Sequence, residues 1–181
     1  WQMVAMTYNA ATDTLQAYLQ PDSPVFIGPI FSGTDSGINV LETMRRLRVG
    51  SDGVSGIGSP DPWGGWIDEI RFYDQAFTKN QLREIFRTAY RPSAPGPVGL
   101  LAKYSHEGTN PLQDDTGHLV TLRNQGIVTF VDPSSLGGST NFVLGAKVGQ
   151  YTRANGLDVP SLYTEGDDFT FVALVRKSND E

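Results

Sequence analysis

The sequence has no cysteine, only two histidines and no long apolar run. The lack of cysteine excludes disulfide bonds, thiolate catalysis and zinc sites built on thiolates. His106 and His118 are too few to form a histidine-rich metal cage. No apolar segment approaches the ~18 residues that a membrane-spanning helix requires. The sequence therefore predicts a globular protein without a membrane span.

Positive charge is also scarce. Lys and Arg total 14 against 20 Asp and Glu, which gives a net charge of -6. The chain thus lacks the basic surface of a protein that binds nucleic acid or an anionic membrane. Its excess of carboxylates makes a cation the more natural bound ion.

Glycine and proline are abundant, at 20 and 11 of the 181 residues. This excess favours many turns between short strands over long helices and predicts an all-β fold. With the strand and helix patterns described next, the expected fold is an antiparallel β-sandwich with one short helix. Apolar and polar residues alternate over 13–20, and residues 1–8 are apolar and aromatic, so the two segments predict strands joined by a hairpin. The prolines that follow predict a loop leading to a strand near Leu47 and Val49; they are Pro21, Pro24 and Pro29.

A glycine-rich segment precedes the next predicted strand. Residues 50–65 include six glycines and two prolines and predict a long mobile loop. Residues 65–77 then predict a strand in which Ile70 and Phe72 share one face. Because Ile67 is out of phase with that face, the pattern indicates a β-bulge.

One helix is predicted. Thr78 and Gln81 match a capping box, and the apolar residues after them recur at helical spacing: Leu82, Ile85, Phe86 and Ala89. The proline-rich residues 91–97 end this helix and predict a stiff linker between two units, 1–90 and 98–181. The second unit again predicts short strands at the spacing of a sandwich.

Motifs in both units carry a family resemblance. The segment GWIDEIRFYDQAF at 65–77 is the most specific of them, and DDTGH at 114–118 and DDFTFVALVRK at 167–177 lie in the second unit. With these motifs the chain resembles a laminin G-like domain of the concanavalin A-like jelly-roll superfamily. Residues 1–90 resemble the C-terminal half of that domain and residues 98–181 its N-terminal half, so the halves stand in inverted order. Strands that join the halves in the family have no counterpart in this chain.

Two interpretations fit the inverted order. The chain is either a piece of a tandem array, with the end of one repeat and the beginning of the next, or a permuted subunit whose halves complement each other. Trp1 is not preceded by an initiator methionine or a targeting segment, which favours an internal piece of a longer protein. The sequence leaves both interpretations open.

The resemblance implies a bound calcium ion. Modules of the family often hold one between the loop matched by Asp114 and Asp115 and the aspartate matched by Asp68, with Thr116 as a possible carbonyl ligand. Calcium prefers several carboxylate and carbonyl oxygens on a loop, and these residues offer them. The alternative is that Asp114 and Asp115 form an Asx turn and that Asp68 caps backbone amides.

Aromatic residues are the candidate ligand contacts. Trp63 in the glycine-rich segment, and Tyr18 and Tyr73 at outward strand positions, could stack on a sugar ring. The alternative is that they are ordinary sheet aromatics. Catalysis is not expected, because Asp68 and Glu69 are adjacent and so face opposite sides of a strand, unlike the paired carboxylates of a retaining glycosidase.

The expected function is therefore that of a non-catalytic recognition module. The resemblance implies an extracellular or cell-surface location, adhesion or binding of a glycan or surface protein, and neighbouring repeats of the same protein. The alternative is a structural subunit of an extracellular fibre, in which half-sandwiches complement one another head to tail.

Overall fold

A computed structural model describes residues 1–21, 27–34, 46–50, 63–90, 98–107, 109–117, 123–125, 128–151, 156–160 and 167–178. The elements are β1 (Gln2–Asn9), β2 (Thr14–Pro21), β3 (Ile27–Thr34), β4 (Arg46–Val49), β5 (Gly65–Tyr73), α1 (Lys79–Tyr90), β6 (Leu100–Tyr104), β7 (Arg123–Gln125), β8 (Thr129–Val131), β9 (Val148–Tyr151), β10 (Gly156–Pro160) and β11 (Phe169–Lys177). The strands pair antiparallel. The predicted fold class, all-β with antiparallel strands and one short α-helix, is thus confirmed in the described ranges.

The strands of the described ranges form two sheets. The large sheet has the order β3-β2-β1-β11-β5-β9-β8, with β6 also paired to β5, and the small sheet has the order β4-β10-β7. Val49 and Val159 of the small sheet pack against the large sheet, in a first core whose other buried members are Ile67, Ile70, Phe72, Ala102, Tyr104, Val128, Tyr151, Ala173 and Val175. The two sheets therefore form a sandwich-like pair of layers.

Helix α1 covers the opposite face of the large sheet. Its apolar residues Leu82, Ile85, Phe86 and Ala89 are all buried, in a second core with residues of β1, β2, β5 and β11. Burial of this apolar stripe is the main reason why the segment is helical, since an isolated helix of this length is marginal in water. No helix in the described part of the chain is long and apolar enough to cross a membrane.

Strands of the two predicted units alternate within the sheets. In the large sheet, β1 and β5 of the first unit flank β11 of the second unit. In the small sheet, β4 of the first unit pairs with β10 of the second. Each unit therefore finds strand partners within the same chain. The predicted linker at 91–97 and residues 51–62 of the predicted loop lie outside the described residues.

The predicted hairpin of β1 and β2 is confirmed, with Gln2 opposite Pro21 and Asn9 opposite Thr14.

The prediction of a loop at Pro29 is wrong, because Pro29 lies within β3, which pairs with β2. Among the described strands β3 is the last of the large sheet, and an edge strand tolerates proline because one side of its backbone needs no partner. The strand β4 lies in the other sheet rather than beside β2.

The outward placement of Tyr18 and Tyr73 is wrong as well. Each side chain is only 3% exposed, and both belong to the second core under α1. The prediction assumed that one face of the sheet meets solvent, as in many antiparallel sheets. Here the small sheet covers one face and the helix the other, so alternate residues on both faces are buried.

The predicted bulge in β5 is confirmed, two residues beyond Ile67. Arg71 lies opposite Val172 and Asp68 opposite Leu174, so Glu69 and Ile70 together oppose the single residue between them. Glu69 has a positive φ of 51°, as a bulge residue often has. Because of the extra residue, the side chains of Ile67, Ile70 and Phe72 all lie in the first core.

The capping box at the start of α1 is also confirmed. The backbone N–H of Thr78 donates to Oε1 of Gln81 at 2.9 Å, and the backbone N–H of Gln81 donates to the Thr78 hydroxyl at 3.4 Å. These bonds satisfy two donors at the helix start that have no partner within the helix.

Loss of this cap is expected to destabilise the protein. Thr78→Ala should lower the free energy of unfolding by about 1 kcal/mol, the usual value for an N-cap residue, in urea denaturation. Thr78→Ser keeps the hydroxyl and is the matched control, with most of the stability retained. Equal losses in the two variants would show that the hydroxyl does not cap the helix.

Candidate functional site

The first carboxylate of the predicted calcium loop is occupied by hydrogen bonds. Asp114 is only 3% exposed, and its Oδ1 accepts from the backbone N–H groups of Lys103 at 2.9 Å and Thr116 at 3.0 Å. Its Oδ2 accepts from the Thr116 hydroxyl. Asp114 thus forms the predicted Asx turn and fastens the loop to β6.

Asp115 also anchors the loop through hydrogen bonds. Its Oδ2 accepts from the backbone N–H of Ser105 at 3.1 Å and from the Ser105 hydroxyl at 2.5 Å, while its own N–H donates to the carbonyl of Lys103 at 2.7 Å. Among the described residues, no group of three or more His, Cys, Asp or Glu side chains is arranged to hold a metal ion. The structure therefore does not gather Asp68, Asp114 and Asp115 into one carboxylate cage.

Asp68 lies instead at a break in the pairing of β5. On one edge of β5, residues 65–67 pair with β9 and residues 70–73 pair with β6, so that Asp68 and Glu69 pair with neither strand. On the other edge, the bulge falls at Glu69 and Ile70. The sheet is thus interrupted on both sides at these residues, which we call the β5 junction.

The two carboxylates of the β5 junction have different surroundings. Glu69 is half-buried and forms ion pairs with Arg71 at 2.8 Å and Lys103 at 3.2 Å. Asp68 is 0% exposed, and its Oδ2 accepts a long bond, 3.4 Å, from the N–H of Gly145. Its Oδ1 has no hydrogen-bond partner in the described part of the chain.

Burial makes ionisation of Asp68 costly. The pKa of Asp68 is raised well above its usual range, first by burial and then by the negative charge of Glu69, with a smaller effect from Glu107. The backbone N–H groups of Glu69 and Gly145 lower this pKa but do not offset the burial. A buried carboxyl in this position either keeps its proton or needs a positive charge beside it.

His106 follows β6 and lies close to the junction. It is 1% exposed and adopts a positive φ of 59°. Its Nδ1 lies 2.8 Å from the carbonyl oxygen of Pro111, and since a carbonyl only accepts, Nδ1 carries the hydrogen and Nε2 presents a lone pair. The pKa of His106 is lowered, chiefly by burial, which favours the neutral ring, in which Nε2 acts as an acceptor.

Tyr151 is the third buried polar side chain in this region. A Cβ added at Gly149 would lie 2.9 Å from the Tyr151 ring and 3.4 Å from Nε2 of His106, so both rings approach the same glycine. The pKa of Tyr151 is raised by burial and by the charge of Asp68. The Tyr151 hydroxyl and Nε2 of His106 have no hydrogen-bond partner among the described residues.

The buried polar atoms without a partner show which contacts the β5 junction lacks. Nε2 of the neutral His106 ring is an acceptor, and Oδ1 of Asp68 is one when the carboxyl is ionised; buried acceptors are nearly always satisfied by a donor or a cation. A buried water can donate a hydrogen bond to such an acceptor, and a bound cation can be coordinated by it. Of the predicted calcium ligands, Asp68 thus has a buried oxygen without a partner among the described residues, whereas both oxygens of Asp114 accept hydrogen bonds.

Glu107 is a residue that the sequence pattern did not single out. Its Oε1 accepts from the N–H of Lys147 at 3.1 Å, and a Cβ at Gly145 would lie 1.8 Å from the same oxygen. Since Asp68 accepts from the N–H of Gly145, the two carboxylates approach one glycine. Only the position of Glu107 immediately after His106, at the end of a predicted strand, hinted at such a role.

A second candidate site is an apolar groove between the sheets, which we call the Trp63 groove. It has a volume of about 290 Å³ and is lined by Val4, Met6, Val49, Gly50, Trp63, Ile67, Phe171, Ala173 and Val175. Trp63 is half-buried beside the end of β4, where its N–H donates to the carbonyl of Gly50 at 3.0 Å. Of the three predicted ligand-binding aromatics, only Trp63 lines this groove.

The chemistry of the groove is almost entirely apolar. The floor consists of alternate residues of β1 and β11, with Val4 opposite Ala173 and Met6 opposite Phe171, and Ile67 continues it onto β5. Trp63 Nε1 is the one side-chain donor in the lining, and it is buried without a partner in the described residues. Because Nε1 is itself shielded from solvent, the groove offers apolar contact and no exposed side-chain donor.

Comparison of the chain with family models, with curated proteins and with solved structures found no match. The resemblance to laminin G-like domains thus rests on the sequence motifs alone and stays a prediction.

Proposed function

We propose that the chain is a non-catalytic recognition module of the laminin G-like, jelly-roll type, which acts outside the cell or at its surface in adhesion. The observation that carries this proposal is the Trp63 groove. It is an open, apolar recess between two sheets, and ligand-binding sites are usually concave and mostly apolar.

The groove favours a protein ligand over a glycan. A sugar carries hydroxyl groups on all sides, and burying them against Val4, Met6 and Phe171 would leave them without hydrogen bonds. Trp63 lines a recess instead of presenting a free flat ring. Tyr18 and Tyr73 are buried under α1 and offer no surface for stacking.

Calcium enters this proposal as a stabilising ion at the β5 junction. Asp68 and Glu107 are the carboxylates that would hold it, because they converge on Gly145 and because Oδ1 of Asp68 is buried without a partner. The ion would supply the positive charge that a buried carboxylate needs. Asp114, Asp115 and Thr116 would support the site only by fastening their loop to β6.

The structural alternative, a fibre subunit, has weaker support. The pairing of β1 with β11 and of β4 with β10 occurs within one chain, so no neighbouring copy is needed to supply those strands. The edge strand β3, with Ile30 57% exposed, is the feature that favours association between copies. We therefore place assembly second to recognition.

Binding of the dye 1-anilinonaphthalene-8-sulfonate tests whether the groove receives apolar groups. We expect the folded protein to bind the dye with energy transfer from tryptophan, and Trp63→Ala to weaken binding about tenfold or more through lost apolar contact. Ile30→Ala removes an exposed apolar side chain elsewhere and serves as the control. Equal dye binding by wild type and Trp63→Ala, with both proteins folded by circular dichroism, would contradict the proposal.

A further inference from the structure

We propose that the first unit, 1–90, and the second unit, 98–181, are a binding pair, and that a second copy of this chain can supply either member. The inference is independent of what binds in the Trp63 groove. Three observations support it: the strand pairing between the units, the cores that they share, and the hydrogen bonds of one buried threonine.

Each unit supplies a strand that lies between strands of the other unit. β11 of the second unit pairs with β1 on one edge and with β5 on the other. β5 of the first unit pairs with β11 on one edge and with β9 and β6 on the other. Both edges of each strand thus pair with the other unit, and main-chain bonds to strand edges are a common basis of association.

Both faces of β11 are buried against residues of the first unit. Ala173 and Val175 lie in the first core, which includes Phe72 of β5. Val172 and Leu174 lie in the second core, which includes the apolar stripe of α1. A strand that is apolar on both faces needs cover on both, and burial of apolar surface is the main driving force of association.

Thr170 of β11 adds directional bonds between the units. Its side chain is buried, and its hydroxyl accepts from the backbone N–H of Phe77 at 3.0 Å and donates to the carbonyl of Gln75 at 2.6 Å. Near the same end of β11, the carboxylate of Asp168 accepts from the backbone N–H of Ala10 at 2.8 Å. These bonds fix the register in which the two units meet.

The linker determines where each unit finds its partner. In the intact chain a short linker gives an effective concentration on the order of 1 mM, so the units of one chain pair with each other. Domains of this size fold with equilibrium constants of about 10³–10⁸. Division of the effective concentration by these constants predicts a dissociation constant of about 1 µM or lower for units that are no longer linked.

Cleavage of the linker after folding tests the proposal. A protease recognition sequence replaces residues 92–97, and the uncut protein is the control. We expect the cut protein, at about 10 µM, to keep the circular dichroism spectrum and the elution volume of the uncut protein. Isotope-labelled and unlabelled cut proteins are then mixed, unfolded in urea and refolded by dilution. Native mass spectrometry should find hybrids of one labelled and one unlabelled unit.

Variants at Thr170 show whether the units bind through the observed contacts, in a dilution series of the cut protein. Thr170→Val keeps the shape of the side chain but leaves the buried N–H of Phe77 without its acceptor, so it should weaken association at least about tenfold. Thr170→Ser keeps the hydroxyl and is the matched control, with most of the affinity retained. Ile30→Ala, on β3 of the first unit, should have no effect.

Three outcomes would overturn the proposal. The first is separation or loss of structure of the two fragments at about 10 µM. The second is refolding without hybrids, because each unit would then accept only the partner with which it was made. The third is equal affinity of Thr170→Val and wild type, which would show that the fragments associate through other contacts. Dye binding by the intact protein tests the recognition function separately, since it does not depend on any of these results.

Discussion

Phe72→Ala is expected to lower the free energy of unfolding by about 3–5 kcal/mol, the usual cost of truncating a buried phenylalanine. Phe72 is 0% exposed and lies opposite Phe171 on one side and Ala102 on the other. Its ring centroid is 5.4 Å from that of Phe171 and 6.4 Å from that of Tyr104. Urea denaturation measures the loss.

The size of the effect follows from the place of Phe72 between the two sequence units. It belongs to residues 1–90, whereas Phe171, Ala102 and Tyr104 all belong to residues 98–181. Truncation therefore weakens the core that joins the units, not the interior of one unit. Since a typical domain has only about 5–15 kcal/mol of stability, the variant would lose a large fraction of the total.

Two controls make this prediction specific. Val143→Ala alters a side chain that is 44% exposed and should change the free energy of unfolding by less than about 0.5 kcal/mol. The denaturation midpoints of wild type and Phe72→Ala should not depend on protein concentration, because the strand partners lie in one chain. A midpoint that rises with concentration would instead show that the units pair between copies, as the fibre alternative requires.

Local signals in the sequence predicted several elements correctly. The capping box at Thr78 and Gln81 located the start of α1, because its hydrogen bonds join residues three apart. The hairpin of β1 and β2 followed from an apolar, aromatic segment and an alternating segment on the two sides of a short polar connection. The bulge in β5 could be inferred because Ile67 is out of phase with Ile70, and a bulge is the simplest device that restores the phase.

The errors arose where a residue's surroundings come from distant segments. Tyr18 and Tyr73 occupy the face that would be solvent-exposed in a one-sided sheet, and they are buried because α1 covers that face. Pro29 is compatible with β3 only because β3 lies at the edge of the sheet. Neither the helix contact nor the edge position can be read from the residues themselves.

The candidate sites were predictable only in part. Trp63 was identified from its place in a glycine-rich segment, but the groove that it lines depends on β1 and β11, which are far apart in the sequence. Asp68 was identified through the family resemblance, whereas its closeness to Glu107 depends on the loop at Gly145. The interruption of the sheet at Asp68 arises because β6 and β9 share one edge of β5, which no local pattern encodes.

The free energy of unfolding of the wild type is expected to fall, relative to Asp68→Asn, as the pH rises above about 4 in calcium-free buffer with a chelator. The unfolded chain releases the Asp68 proton near pH ~3.9, whereas the raised pKa of Asp68 makes the folded protein hold it to higher pH. Between the two pKa values the folded state binds more protons, so stability falls with pH, by up to about 1.4 kcal/mol per pH unit. Urea denaturation of both proteins at a series of pH values measures the difference.

The comparison with Asp68→Asn isolates this one group. His106 has the opposite effect, because its lowered pKa makes the folded state lose stability as the pH falls below about 6.5. That contribution is present in both proteins and cancels in the difference. A difference that does not change with pH would show that Asp68 titrates as it does in the unfolded chain.

The effect of added calcium distinguishes a cation site at Asp68 from a buried carboxylic acid that keeps its proton. Calcium binds the ionised carboxylate, so at neutral pH it should raise the melting temperature of the wild type and remove the fall in stability with pH, with no effect on Asp68→Asn. Asp115→Ala should lower stability through loss of the bonds to Ser105 and still respond to calcium. A calcium response that survives in Asp68→Asn and disappears in Asp115→Ala would place the ion on the Asp114 loop instead. If the wild type shows no response to calcium, Asp68 is a buried carboxylic acid that keeps its proton.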